Sequence, residues 1–310
     1  MLLVAILLLQ IAAPLVLLGA MIIRPPRSRA GLLVLATLWA GFLLAITALG
    51  DWTVLPWWLP YALAALSIPM LWHWRTRWPL APAWPQGTRA VVLLTLGAVA
   101  TGGCLWVAWL GAEGRQLPDV PAADLAFPLR GGTFAVASGG ANALLDLHTA
   151  TSADPRFIAH PEYRTDFVRL NAIGMRASGL FPADPARYAI FGTPVIAPCA
   201  GVVTNAEGSL PDLAAPASDP HHTLGNHVVL DCGGTIVTLA HLRQGSLAVR
   251  QGQRIDTGAV MAAVGNAGDS REPHLAVTAK RRGTALLLGG DAMPMRFDGR
   301  YLTRNQRHEN

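Results

Sequence analysis

The sequence predicts four N-terminal transmembrane α-helices followed by an all-β extracytoplasmic domain. Three observations carry that prediction. The 310-residue chain is 52% hydrophobic and only 14% charged, too apolar for one soluble domain. All ten Trp lie between Trp39 and Trp109, whereas most charged residues follow Arg115. From residue 127 onward the pattern changes to short alternating runs broken by glycine turns, at the spacing of a β-sandwich or barrel.

Apolar runs at residues 2–23, 32–49, 54–72 and 90–112 make up the membrane domain, residues 1–115. Each is about 18–23 residues, enough to cross a hydrocarbon core of about 30 Å. The first run has no positive n-region and no small-residue cleavage site before Arg24, so it reads as a span rather than a signal peptide. The third run contains Pro56, Pro60 and Pro69, which neighbouring helices in a membrane accommodate. No charge falls inside a run, which argues against a transporter pathway through the helices.

Arginines set the orientation. Arg24, Arg27 and Arg29 follow the first run, and Arg75, Arg77 and Arg89 follow the third. Positive loops stay in the cytoplasm, so both termini are expected outside a bacterial inner membrane crossed several times. The net charge of +5 belongs to the membrane part, since residues 116–310 hold equal numbers of acids and bases. It therefore reports topology, not nucleic-acid binding.

Residues 116–126 read as a linker. The β domain is expected over 127–304 and a tail over 305–310. Thr133–Ser138 alternates and ends on a Gly-Gly turn. Residues 193–203 read as strand, turn, strand. Residues 227–231 and 235–241 flank Gly233-Gly234, the signature of a hairpin. Further strands are expected at 252–258, 259–264 and 273–279, and a last one near 294–302. Residues 207–224 form a long polar loop, either a lid over a cleft or a surface insertion. Cys199 and Cys232 fall on two predicted strands, and an oxidising compartment permits a disulfide between them; Cys104 reads as a packing residue in the fourth run.

The segment 225–279 carries the chemistry. It contains Leu239-Ala240-His241-Leu242, then the turn Gly265-Asn266-Ala267-Gly268-Asp269-Ser270, then Pro273-His274-Leu275-Ala276. Upstream stand Tyr163-Arg164-Thr165-Asp166-Phe167 and Phe191-Gly192-Thr193-Pro194-Val195-Ile196-Ala197-Pro198. In order and spacing these motifs resemble the lysostaphin/LytM-type zinc metallopeptidases, which cut peptide crosslinks of bacterial cell walls. The resemblance covers about residues 127–304 and leaves the membrane runs aside.

It implies a zinc held by the His and Asp of a His-x-x-x-Asp motif and the second His of His-x-His, with an open position for water. Residues i and i+2 of a strand share a face, which explains the last spacing. His241 and His274 match the two assisting, catalytic histidines, and Asp166 matches the ligand aspartate. Glu162 stands where the motif has its first His, and Ala276 where it has its last. Two readings stay open. Zinc binds through a rearranged set of Asp166, Glu162 and one or both of His241 and His274, giving an active, divergent endopeptidase; His160 is a further candidate donor. Otherwise the metal is lost, and the domain binds peptidoglycan or a wall-processing complex with reduced or absent hydrolysis. Asp166 also reads as an ordinary carboxylate beside Arg164 and Arg169. His221 and His222 read as solvated, His227 as structural, His73 as interfacial, and His148 and His308 as incidental.

Overall fold

The structure, a computed structural model, describes residues 2–147, 163–283 and 291–310. The chain divides into two compact units. One consists of residues 1–52 and 57–113, the other of residues 53–56 and 114–310.

The first unit is helical: α1 (Leu2–Leu7), a π-helical stretch Leu8–Ala12, α2 (Ala13–Ile23), α3 (Arg29–Leu49), α4 (Leu59–Arg77) and α5 (Thr88–Glu113). Ser28 caps α3 by accepting a hydrogen bond from the Gly31 amide at 3.2 Å, satisfying an orphan donor of its first turn. Leu18, Met21, Leu32, Trp39, Met70 and Trp74 pack together inside. Val16, Ile23, Leu93 and Val99 point outward, as apolar side chains do when the solvent is lipid. Among the described residues, three helices are long and apolar enough to cross a membrane: Ala5–Ile23, Arg29–Leu49 and Thr88–Glu113. The predicted third span differs. Its helix starts at Leu59 rather than residue 54 and runs on to Arg77. It thereby exchanges Val54 and Leu55 for His73, Arg75, Thr76 and Arg77, and falls short in apolarity.

The second unit is β-rich. Its strands are β1 (Ala123–Leu125), β2 (Thr133–Ser138), β3 (Thr165–Arg169), β4 (Pro194–Ile196), β5 (Gly201–Glu207), β6 (Asn226–Asp231), β7 (Thr235–Leu242), β8 (Arg254–Ile255), β9 (Val260–Ala263), β10 (Leu275–Arg281), β11 (Ala292–Met293), β12 (Met295–Phe297), β13 (Arg300–Tyr301) and β14 (Arg307–Glu309). Among the described residues, the main sheet runs β14-β2-β3-β10-β7-β6-β5-β8, with β11 also on β10. Its neighbours pair antiparallel. β1, β12 and β13 form a second sheet, and β4 with β9 a third. β1 thus lies inside the stretch read as a linker, where Ala123 and Leu125 are buried in the core, and β14 lies inside the stretch read as a tail.

Four phenylalanines centre that core. Phe127 packs on Phe134, Phe167 and Phe297 with ring centroids 5.5, 5.0 and 6.2 Å apart, within the favourable range for aromatic pairs. His308 of β14 stacks on Phe127 at 4.0 Å. It is therefore a packing residue, not an incidental one. Burial holds its imidazole below the ordinary value; Arg300 adds to this and Asp298 opposes it. Cys199 and Cys232 are joined in a disulfide with Cα atoms 6.0 Å apart.

Candidate functional site

Three adjacent strands of the main sheet, β3, β10 and β7, build the candidate site. In their register Ala276 of β10 lies opposite Asp166 of β3 on one side and Ala240 of β7 on the other. Leu275 and Val277 flank Ala276 and are fully buried. Alternation along the strand therefore turns His274 and Ala276 to the face opposite the core.

His241 reaches the same place by a different route. A regular β7 would send it to the core face with Leu239, which pairs with buried Val277. Instead the register shifts here: Asn226 pairs with Leu242 and His227 with Ala240, so His241 is an extra residue on its strand. Its φ is +65°, in the left-handed region that non-glycine residues seldom occupy. Such bulges re-aim a side chain, and local backbone strain of this kind gathers at functional sites. The ring ends 4.7 Å from that of His274 and is fully buried.

Each imidazole is fixed from behind. His241 Nδ1 donates to the Ala267 carbonyl at 3.0 Å. His274 Nδ1 donates to the Glu272 carbonyl at 2.8 Å, with Ser270 Oγ at 3.3 Å. A carbonyl only accepts, so both rings carry their proton on Nδ1 and turn an Nε2 lone pair into the site. Glu272 is itself held, its carboxylate receiving Nη2 and Nε of buried Arg176 at 2.6 and 3.0 Å. Tyr188 lies close enough to feel that pair. Burial, and then the charge of Glu272, push its phenol up to about 12, while Arg176 opposes the shift.

The turn that supplies Ala267 is tied to the long polar loop. Asp212 accepts from the Asn266 amide at 2.6 Å, Asn266 Nδ2 donates to the Leu213 carbonyl at 2.7 Å, and the Asp219 amide donates to the Gly268 carbonyl at 2.8 Å. Backbone crosses backbone there. A Cβ on Gly225 would stand 2.1 Å from the Ala267 oxygen, and one on Gly268 2.3 Å from the Gly225 nitrogen, so both positions require glycine. Residues 207–224 are thus a bonded flank of the site.

A guanidinium sits between the convergent groups. Arg164 Nε donates to Asp166 Oδ1 at 2.6 Å, and Arg164 Nη2 lies 2.8 Å from His274 Nε2 and 3.2 Å from His241 Nε2. Arg164 stands just before β3, two residues from Asp166, and its side chain folds over that carboxylate. Their side chains are each 14% exposed.

The structure therefore brings together His241, His274 and Asp166, and it adds Arg164, Arg176, Ser270 and Glu272, which sequence reasoning had not assigned to the site. The i, i+2 spacing of Arg164 and Asp166 was the available signal for the first of these. Glu162 and His160 lie outside the described residues. His222 pairs with Asp219 at 2.7 Å on the exposed loop, away from a ligand role, and His227 donates from Nδ1 to the Gly225 carbonyl at 2.8 Å.

The family motif implies zinc, and the donor set described does not fit it. Ala276 offers no electron pair. Both Nε2 lone pairs face a permanent cation, and among the described residues no three His, Cys, Asp or Glu side chains are arranged, as they stand around Arg164, to hold a metal ion.

The profile of Peptidase family M23 matches residues 187–287, which include β4 to β10 with His241 and His274. No curated protein matches the chain. Among solved structures it is similar to a zinc containing peptidase from Vibrio cholerae, at 18% identity and a TM-score of 0.31, over 59% of this chain and 37% of that one. It is similar to lysostaphin from Staphylococcus simulans at 20% identity and a TM-score of 0.27, over 40% and 39%. A putative peptidase M23 from Pseudomonas aeruginosa matches at 20% identity and a TM-score of 0.27, over 56% and 53%. The chain thus spans between 37% and 53% of the length of these relatives. The family match over residues 187–287 coincides with the motifs around His241 and His274, and this part of the β domain is similar to peptidase family M23.

Proposed function

We propose that this is a membrane-anchored, metallopeptidase-like protein of the bacterial inner membrane whose β domain faces the cell wall and binds peptidoglycan peptides with little or no hydrolysis. The observation that supports it is the Arg164 guanidinium against both His241 and His274 Nε2 atoms, in a site where Ala276 stands at a ligand position. With those lone pairs engaged, the described residues of the cleft retain hydrogen-bonding groups but no water-activating centre. A bound peptide is met by N–H groups and buried polar side chains, which orient it and hold it.

The membrane arrangement is part of the proposal. Arg24, Arg27 and Arg29 on one loop, and Arg75, Arg77 and Arg89 on the other, share the cytoplasmic side only if α3 and α4 both cross. We therefore assign four crossings, with the less apolar α4 carried by its neighbours and both termini outside.

The convergence of His241, His274 and Asp166 favours a second reading, an active zinc endopeptidase of divergent ligand set. One experiment separates the two. Full-length protein in detergent, with any tag removed, is incubated with purified peptidoglycan and zinc, and with soluble wall fragments in a calorimeter. Fragment binding without release of cleaved peptides supports the binding reading. Zinc-dependent release of crosslink peptides supports the second reading and sinks the first.

A further inference from the structure

We infer that Arg164 is a resident cation: its guanidinium stands between His241, His274 and Asp166, bonded to all three, and it bars metal uptake there. The inference rests on the non-hydrolytic reading of this cleft, but not on the identity of its ligand.

The hydrogen count carries it. A guanidinium donates five N–H bonds and accepts none. Nε–H goes to Asp166, and Nη2 supplies one N–H to each of the two histidines. Those bonds require an acceptor at both Nε2 atoms. The Ala267 and Glu272 carbonyls independently require the proton at both Nδ1 atoms. Two separate sets of partners thus assign the same neutral tautomer to both rings. It is also the tautomer in which an imidazole binds a metal through Nε2, with a carbonyl behind it orienting the ring. The three groups Arg164 touches are therefore arranged as donors toward a positive centre, and the centre is a side chain of the protein itself.

Charge supports the same conclusion. Asp166 and Arg164 neutralise one another at 2.6 Å, and the two rings are neutral by their bonding. A divalent ion entering there would break all three bonds of Arg164 and face a fixed positive charge at contact distance, in a pocket where the side chains of Arg164, Asp166 and His274 are only 12–14% exposed and His241 is fully buried. Removing the guanidinium removes the repulsion and frees the lone pairs while leaving the carbonyl supports in place.

The test is cobalt(II) titration of the tag-free, full-length protein in detergent, followed by visible absorption, with zinc displacement as a control. The unaltered protein is expected to give no cobalt d–d bands. Arg164→Ala is expected to give bands that saturate at one equivalent and are lost on adding zinc. Cobalt uptake by the unaltered protein overturns this inference and the non-hydrolytic reading together. Failure of folded Arg164→Ala to take up cobalt overturns this inference alone, since fragment binding is measured separately. If Arg164→Ala does not fold, nitrogen-15 chemical shifts of the imidazoles in the unaltered protein decide: Nδ1–H on both rings is required, and Nε2–H on either ring overturns the assignment.

Discussion

Ala276 lies directly across from Asp166 in the antiparallel pairing of β10 with β3, with Ala240 of β7 on its other side. That relationship fixes where a third donor would enter. A histidine at 276 would share its face with His274 and stand next to the Asp166 carboxylate. It would still meet Arg164. Ala276→His alone is therefore expected to leave the protein free of zinc, whereas Ala276→His with Arg164→Ala binds zinc more tightly than Arg164→Ala alone. Competition against a chromogenic chelator measures both; zinc uptake by the single Ala276→His variant would count against Arg164 as the barrier.

His241 supports two partners from a strained backbone position. Replacing it with alanine leaves the buried Ala267 carbonyl and one Arg164 N–H without their bond. A lost buried partner costs about 1–3 kcal/mol. Denaturant titration should show His241→Ala destabilised in that range, and a change of under about 0.5 kcal/mol, typical of surface sites, would contradict the bonding described.

The Cys199–Cys232 disulfide closes a loop across a sequence separation of 33 residues. Chain-entropy arguments give such a cross-link about 3–4 kcal/mol. Cys199→Ala with Cys232→Ala should lose roughly that much, and a reductant should lower the stability of the unaltered protein toward the variant's. Equal melting temperatures with and without reductant would rule out a bridge of this weight.

Two rings of the β domain, half-buried His308 and buried Tyr188, carry shifts that predict a pH response. The folded His308 binds its proton less readily than the unfolded chain does, because burial, first, disfavours the charged ring. Its stabilisation is complete above the ordinary histidine value of about 6.5 and is lost as the pH falls through that region. Tyr188 behaves oppositely. Its folded value of about 12 lies above the ordinary value for tyrosine, so the unfolded chain ionises first and stability falls as the pH rises toward 12. Stability against pH should therefore decline at both ends. His308→Gln should flatten the acid side and Tyr188→Phe the alkaline side. Unchanged slopes in these variants would show that other groups govern the profile.

The membrane assignment predicts labelling on opposite sides. Single cysteines placed near Arg27 and near Arg77 should resist an impermeant maleimide in intact spheroplasts, and one at Gly50, between α3 and α4, should react. Labelling at Arg77 together with protection at Gly50 would mean that α4 does not cross.

Much of this architecture was legible along the chain. Runs of apolar residues bounded by arginines announce helices in lipid, because that solvent tolerates no charge and no unpaired backbone. Alternation and Gly-Gly turns mark β2, β6 and β7, because side chains change face at every residue. His241, His274 and Asp166 were visible through the residues on either side of them. The boundary of α4 was harder to place, since Pro56 and Pro60 allow more than one start. β1 and β14 went unread for a related reason. Three-residue strands carry too few alternations to signal themselves, and they exist because the core accepts Leu125 and stacks His308 on Phe127.

By itself, then, the sequence determined the division into an apolar helical part and a β-rich part, the kind of sheet, and the absence of an electron-pair donor at position 276. Only the tertiary structure decided what stands between the histidines. That answer depends on a bulge turning His241 by one face, on the pairing of three strands, and on a side chain two residues before Asp166 folding back over it. Bonds among residues 77 to 110 positions apart in the chain are not written in any local pattern; they arise when the sheet closes and a guanidinium finds three acceptors at once.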